Sequence, residues 1–214
     1  MDPNLVIAGW SIAFVLTHVL PSHPPVRARL VGALGRRGYL VGYSVVSLVT
    51  WIPLVYAWWT HPHAGTMWWW PRSPAIVVPM MAVAAIGIAM SVAGFATPAP
   101  SAGAAPVRDR YDVRGIQAIT RHPAMFGLGL VSIAHLVLNG FTSDLWFWGA
   151  HAVVAVAGAA HQDLRHRASK PGYEAYTQVT TFWPNPLGLA RIDRRGWLGL
   201  GAGLALAIGI RAIH

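Results

Sequence analysis

The residues best suited to chemistry in this 214-residue chain are its ten histidines, set among seven carboxylates and no cysteine. Arg121-His122-Pro123 opens the apolar stretch that runs to Asn139. Proline is favoured in the first turn of a helix, where its missing N–H would have no intrahelical acceptor, so the sequence predicts His122 at a helix mouth. An imidazole in that position can bind a metal or haem iron, and the arginine beside it suits an anionic cofactor group such as a carboxylate or phosphate. The same residues also read as a capping histidine next to a solvated arginine, and the sequence leaves both readings open. Without cysteine there are no disulfides, thiolate zinc sites, iron–sulfur clusters or thiolate-ligated haem, so a bound metal must use histidine, carboxylate or methionine.

The elements that position these side chains are apolar helices. The chain is 55% hydrophobic and 11% charged, with a mean hydropathy of +0.46. A soluble domain is far more charged, so the expected class is an all-α, polytopic membrane helix bundle whose partner is the lipid bilayer. A single integral membrane domain is expected to have about six transmembrane helices, near 4–21, 38–59, 74–96, 122–139, 144–162 and 196–213. The first lacks a basic segment ahead of it and is expected to be retained rather than cleaved. Pro53 and Pro79 fall inside spans, where neighbouring helices tolerate a kink, and recurrent glycines suit close helix approach in lipid.

The formal net charge of +9 could point to nucleic acid, but its distribution does not. Arg27, Arg29, Arg36 and Arg37 lie between the first two spans, and Arg108, Arg110, Arg114 and Arg121 between the third and fourth. Arg165, Arg167, Lys170, Arg191, Arg194 and Arg195 lie between the last two. Those three loops are expected to be cytoplasmic, with both termini outside, and no nucleic-acid partner is expected. Trp58, Trp59, Trp68, Trp69, Trp70, Trp146 and Trp148 then form a belt at the outer interface. The Pro/Ala-rich stretch 97–105 reads as an irregular linker.

Sorted by depth, His18, His122 and His161 share the cytoplasmic level, each at the end of a span. His135 lies about 20 Å along its helix from His122, and His151 about 15 Å from His161, so both are expected to be hydrogen-bonded core residues. His61, His63 and His214 are expected to be solvated. Beyond His161, Asp163 and Arg167 are four residues apart, as are His161 and Arg165, so each pair can meet on one helix face. Residues 170–184 read as an amphipathic surface segment that could roof the three histidines.

Taken in order, several motifs resemble the NnrU family over nearly the whole chain. They are His18, Pro24-Pro25-Val26-Arg27-Ala28-Arg29-Leu30, Gly38-Tyr39-Leu40-Val41-Gly42-Tyr43-Ser44, Thr120-Arg121-His122-Pro123, Ala134-His135, Ala160-His161-Gln162-Asp163-Leu164-Arg165 and Tyr173-Glu174-Ala175-Tyr176. That family occurs in bacterial membranes, is linked with denitrification, and is similar to zeta-carotene isomerase, a haem b protein. The resemblance implies an inner-membrane haem b protein with axial ligands at His18 and His122, His23 standing as a rival for His18. Arginines among Arg27, Arg29, Arg121 and Arg165 would pair with the propionates, and His161 and Asp163 would supply supporting hydrogen bonds or a switchable ligand. It implies either redox-gated cis–trans isomerisation of an apolar polyene, supplied as a small-molecule substrate, or a non-catalytic role in electron transfer, sensing or assembly. A more distant similarity to isoprenylcysteine carboxyl methyltransferases raises S-adenosylmethionine as the alternative cofactor. Their Glu-Glu pair has no counterpart at His161-Gln162-Asp163.

Overall fold

A computed structural model of the chain describes residues 1–71, 73–97, 99–101, 113 and 115–213. Arg72, Arg108, Arg110, Arg114, His214 and much of the 97–105 linker fall outside the described residues. Among the described residues the fold is all-α apart from one short ribbon. Its elements are α1 (Pro3–Val19), α2 (Pro24–Thr60), β1 (Met67–Trp69), α3 (Pro74–Ala96), α4 (Pro123–Leu138), β2 (Gly140–Phe141), α5 (Thr142–Ser169), α6 (Tyr173–Val179) and α7 (Arg194–Ile213), with 3-10 turns at Gly115–Ala118 and Pro186–Arg191. α2 and α3 are long and apolar enough to cross a membrane, and α1 and α4 are shorter apolar helices.

The chain forms two compact units, residues 1–80 with 132–161, and residues 81–131 with 162–214. In the first, Asp2 caps α1 by accepting from the Asn4 N–H at 2.9 Å, with Pro3 in the first turn. α1 packs against α2, and Ile7, Phe14, Leu54, Ala57, Phe147 and Ala150 form the core. α2 begins at Pro24, so most of the basic loop expected before the second span is helical. Gly35, at φ 68° and ψ 164°, kinks it there. The ribbon was not expected either: β1 pairs antiparallel with β2, placing Trp69 opposite Gly140. A Cβ on Gly140 would lie 2.6 Å from the Trp69 ring, so glycine is what lets the strands close.

In the second unit, small residues allow the close helix approach expected in lipid. A Cβ on Gly94 would sit 2.7 Å from the Ala124 nitrogen, one on Gly87 2.9 Å from that of Val131, and one on Gly199 2.9 Å from the Ala93 Cα. These contacts join α3 to α4 and to α7. Gly115, at φ 55°, turns the chain towards Arg121-His122-Pro123, and Gly196 of α7 packs on it.

Candidate functional sites

In the second unit α4 starts at Pro123, as expected, and the Phe126 N–H donates to the His122 carbonyl at 3.0 Å as the first helical bond. The segment before it is held by two hydrogen bonds: the Arg121 N–H donates to the Thr181 carbonyl at 3.0 Å and the Thr120 hydroxyl to the Phe182 carbonyl at 2.6 Å. The His122 side chain does not cap the helix, since its Nε2 meets Asp163 and its Nδ1 has no partner among the described residues, and Arg121 is buried rather than solvated. The Arg121 Nε donates to both Asp163 oxygens at 3.0 and 2.8 Å, its Nη2 also donates to Asp163, and its Nη1 donates to the Thr180 carbonyl at 3.1 Å. The His122 Nε2 donates to Asp163 Oδ1 at 2.6 Å and the Tyr173 hydroxyl to the same oxygen at 2.8 Å.

A carboxylate buried this deeply would ordinarily be pushed up in pKa. Burial does push Asp163 up, but the donors on His122, Arg121 and Tyr173 outweigh it and hold the carboxyl well below the usual range. Burial, then Asp163, pushes the Tyr173 phenol up, so it stays a donor. The expected Asp163–Arg167 pair does not form: Arg167 reaches the exposed Glu174 at 2.7 Å instead. His122 is left with one unusual atom. Its Nδ1 is buried and has no hydrogen-bond partner among the described residues. The Phe182 ring stands edge-on to it, at a centroid separation of 5.5 Å.

The first unit holds His18 and His161. The His18 Nδ1–H donates to the Phe14 carbonyl one turn earlier at 2.8 Å, which fixes the ring and leaves the other nitrogen, Nε2, with no hydrogen bond among the described residues. The Tyr43 hydroxyl donates to the His18 carbonyl at 3.1 Å, and the Tyr43 ring stacks on Tyr39 at 5.9 Å. Arg27 lies over the other tyrosine, its Cζ 5.0 Å from the Tyr39 ring, and the Arg27 Nε is buried without a hydrogen-bond partner among the described residues. His161 meets Ser22 at 3.1 Å and His23 at 3.4 Å. The structure therefore brings His18, Arg27, His23 and His161 into one unit, and Arg121, His122, Asp163 and Arg165 into the other.

His151 is the expected core histidine: its Nδ1–H donates to the Phe147 carbonyl at 2.8 Å and its Nε2 accepts from Trp51 at 3.1 Å. His135 stacks on Trp148 at 4.0 Å. His63 departs from expectation. Its Nδ1 lies 2.7 Å from an oxygen of the fully buried Asp144. The signal was legible, because Asp144 is one of only seven acids and stands at the start of an apolar run. His166 was also passed over: buried, it donates from Nε2 to the Ser101 carbonyl at 2.8 Å. Burial, with the Lys170 and Arg165 cations beside it, lowers its pKa to about 4.

The ordered motifs that carry these side chains match the family model described as NnrU protein over residues 6–214. The chain belongs to the NnrU family. No curated protein and no solved structure matches it. As an NnrU protein with α2 and α3 suited to crossing a bilayer, it is a membrane protein.

Proposed function

We propose that this NnrU protein is a six-span bacterial inner-membrane protein, with both termini outside, that binds haem b in its first unit through His18. The observation that carries the reading is the His18 ring. A metal-binding imidazole generally gives its second nitrogen to a carbonyl or carboxylate, which fixes the tautomer and aims the coordinating nitrogen. His18 meets that description, with Nδ1–H on Phe14 and Nε2 uncommitted. Arg27 fits as the propionate partner. A buried guanidinium nitrogen without an acceptor is costly, and a carboxylate would satisfy it. Tyr39 and Tyr43 connect the two residues in a continuous aromatic contact.

His122 receives a different part. Its Nε2 is engaged by Asp163, and a flat macrocycle approaching the remaining Nδ1 would meet the residue's own Cβ. Haem b held through His18 would supply an iron able to take a further ligand, as the isomerase reading requires and electron transfer does not. His18 would hold the group, Arg27 would neutralise one of its propionates, and the apolar helices would exclude water and admit an apolar polyene. A contribution to nitrite or nitric oxide reduction would draw on the same iron chemistry.

The test is an absorption spectrum of the protein purified from haem-sufficient cells. A b-type spectrum with high-spin character is expected. His18→Ala should lose most of the haem, Arg27→Ala should loosen it, and His122→Ala should retain it. A low-spin spectrum abolished by His18→Ala would shift the role to electron transfer or sensing. A haem-free preparation, or haem unaffected by His18→Ala, would overturn the assignment.

A further inference from the structure

The turn after α2 carries His61-Pro62-His63, and both imidazoles are held from behind. The His61 Nδ1 meets the Thr60 hydroxyl at 3.0 Å and the Ala57 carbonyl at 3.2 Å. The His63 Nδ1–H donates to Asp144 at 2.7 Å, and that carboxylate is fully buried in the first turn of α5, where it also accepts from the Trp58 Nε1 at 2.9 Å. Each ring keeps Nε2 uncommitted among the described residues, and His63 has 42% of its side chain exposed. Among the described residues His63 is also the one non-glycine with positive φ, at 54°. That conformation is sparsely populated and persists where the surroundings fix it. Here the Ala64 N–H donates to the Ser143 hydroxyl at 2.9 Å and the Ser143 N–H returns to the Ala64 carbonyl at 3.1 Å, clamping the turn on the start of α5.

We infer that His61 and His63 form a binding site for a divalent first-row transition metal ion, with Asp144 as the positioning residue behind His63. The carboxylate–histidine arrangement raises the basicity of the coordinating nitrogen and fixes its direction. Charge favours a cation as well. Asp144 pairs with no lysine or arginine among the described residues, so a metal ion on His63 offsets a buried negative charge through the ring. Two imidazoles and no thiolate suit Cu(II) above Zn(II) in the usual order of affinities. Among the described residues no group of three or more histidine, cysteine or carboxylate ligands stands together, so water completes the coordination sphere.

The experiment titrates Cu(II) into the full-length protein in detergent, with affinity from calorimetry and nitrogen ligands from electron paramagnetic resonance. The expected result is one equivalent bound at micromolar concentration with two imidazole nitrogens coordinated. Asp144→Asn should keep both nitrogens and weaken binding by about 10- to 100-fold. His63→Asn is the decisive variant. Asparagine tolerates the left-handed conformation and can still donate to Asp144, so the turn survives while one metal ligand is gone. It should lose one nitrogen signal and at least about tenfold in affinity, with the haem spectrum unaltered. Unchanged coordination in His63→Asn, or no stoichiometric binding by the wild type, would overturn the proposal without touching the assignment of His18.

Discussion

Asp163 accepts from three side chains at once, and two of its partners have few other places to turn. Replacing it with alanine leaves the buried Arg121 guanidinium without its carboxylate partner, which costs about 3–5 kcal/mol where a buried pair is broken. Detergent-solubilised Asp163→Ala should therefore unfold at markedly lower temperature, whereas Arg167→Ala, which removes an exposed pair with Glu174, should change little. His166 gives a pH dependence with a definite sign. Its folded pKa of about 4 lies below the ordinary 6.5, so the unfolded chain binds the proton more readily between those values. Stability is then complete above about pH 6.5 and falls as the pH drops towards 4, by at most about 3 kcal/mol. His166→Gln can retain an N–H donor for the Ser101 carbonyl, and melting curves across that range should show a shallower decline than wild type. The sequence exposed Arg121, His122 and Asp163 as candidates through residue type and placement, but not as one network. Spacing on a helix brings Asp163 near Arg167, yet a guanidinium 42 residues earlier in the chain engages it first. Only tertiary placement reveals that choice.

Along the elements, the apolar runs located most helix ends to within about two residues and missed two, the start of α2 and the end of α5. Hydropathy marks where a helix sits in lipid, while the helix itself continues wherever backbone hydrogen bonds do, so α5 runs on to Ser169 through Asp163, Arg165 and Arg167. The β1–β2 ribbon had no legible period, because Met67-Trp68-Trp69 is three residues long and its partner lies more than seventy residues on. Glycines discriminate between lining and packing in α7. A methyl group on Gly201 would meet nothing within 4 Å, whereas Gly203 packs its α-carbon against the Ala89 backbone. Gly201→Ala should be neutral or stabilise by up to about 1 kcal/mol through helix propensity. Gly203→Ala should destabilise by about 1–3 kcal/mol, since a backbone must move to admit the methyl group. Thermal unfolding of the two variants side by side decides the matter, and equal effects would mean that α7 does not approach α3 as described.

At the scale of the whole molecule, the family and the all-α class were legible from the chain, because ordered motifs and an apolar composition extend over its full length. The division into two units was not, since the helices α3, α4 and α5 each contribute residues to both. Orientation in the bilayer rests on charge. Fourteen of the sixteen basic residues fall in three of the five connections between the six apolar runs, and the two others, Arg72 and Arg211, fall elsewhere. Moving a cluster of arginines across the hydrocarbon layer is costly, so such clusters stay on the cytoplasmic side during insertion and set the orientation of the spans beside them. The kink at Gly35 falls inside the basic stretch, with Arg27 and Arg29 before it and Arg36 and Arg37 after it, all ahead of the apolar part of α2. An activity reporter fused after Gly32 or after Ser169 should therefore read as cytoplasmic, and one fused after Gly65 as outside. That last result would place the His61-Pro62-His63 turn on the opposite side of the membrane from the basic clusters, where metal ions reach it without crossing the bilayer. An outside signal from the Ser169 fusion would require α5 to end on the other face, and would remove the argument that His18 and His161 lie at a common cytoplasmic level.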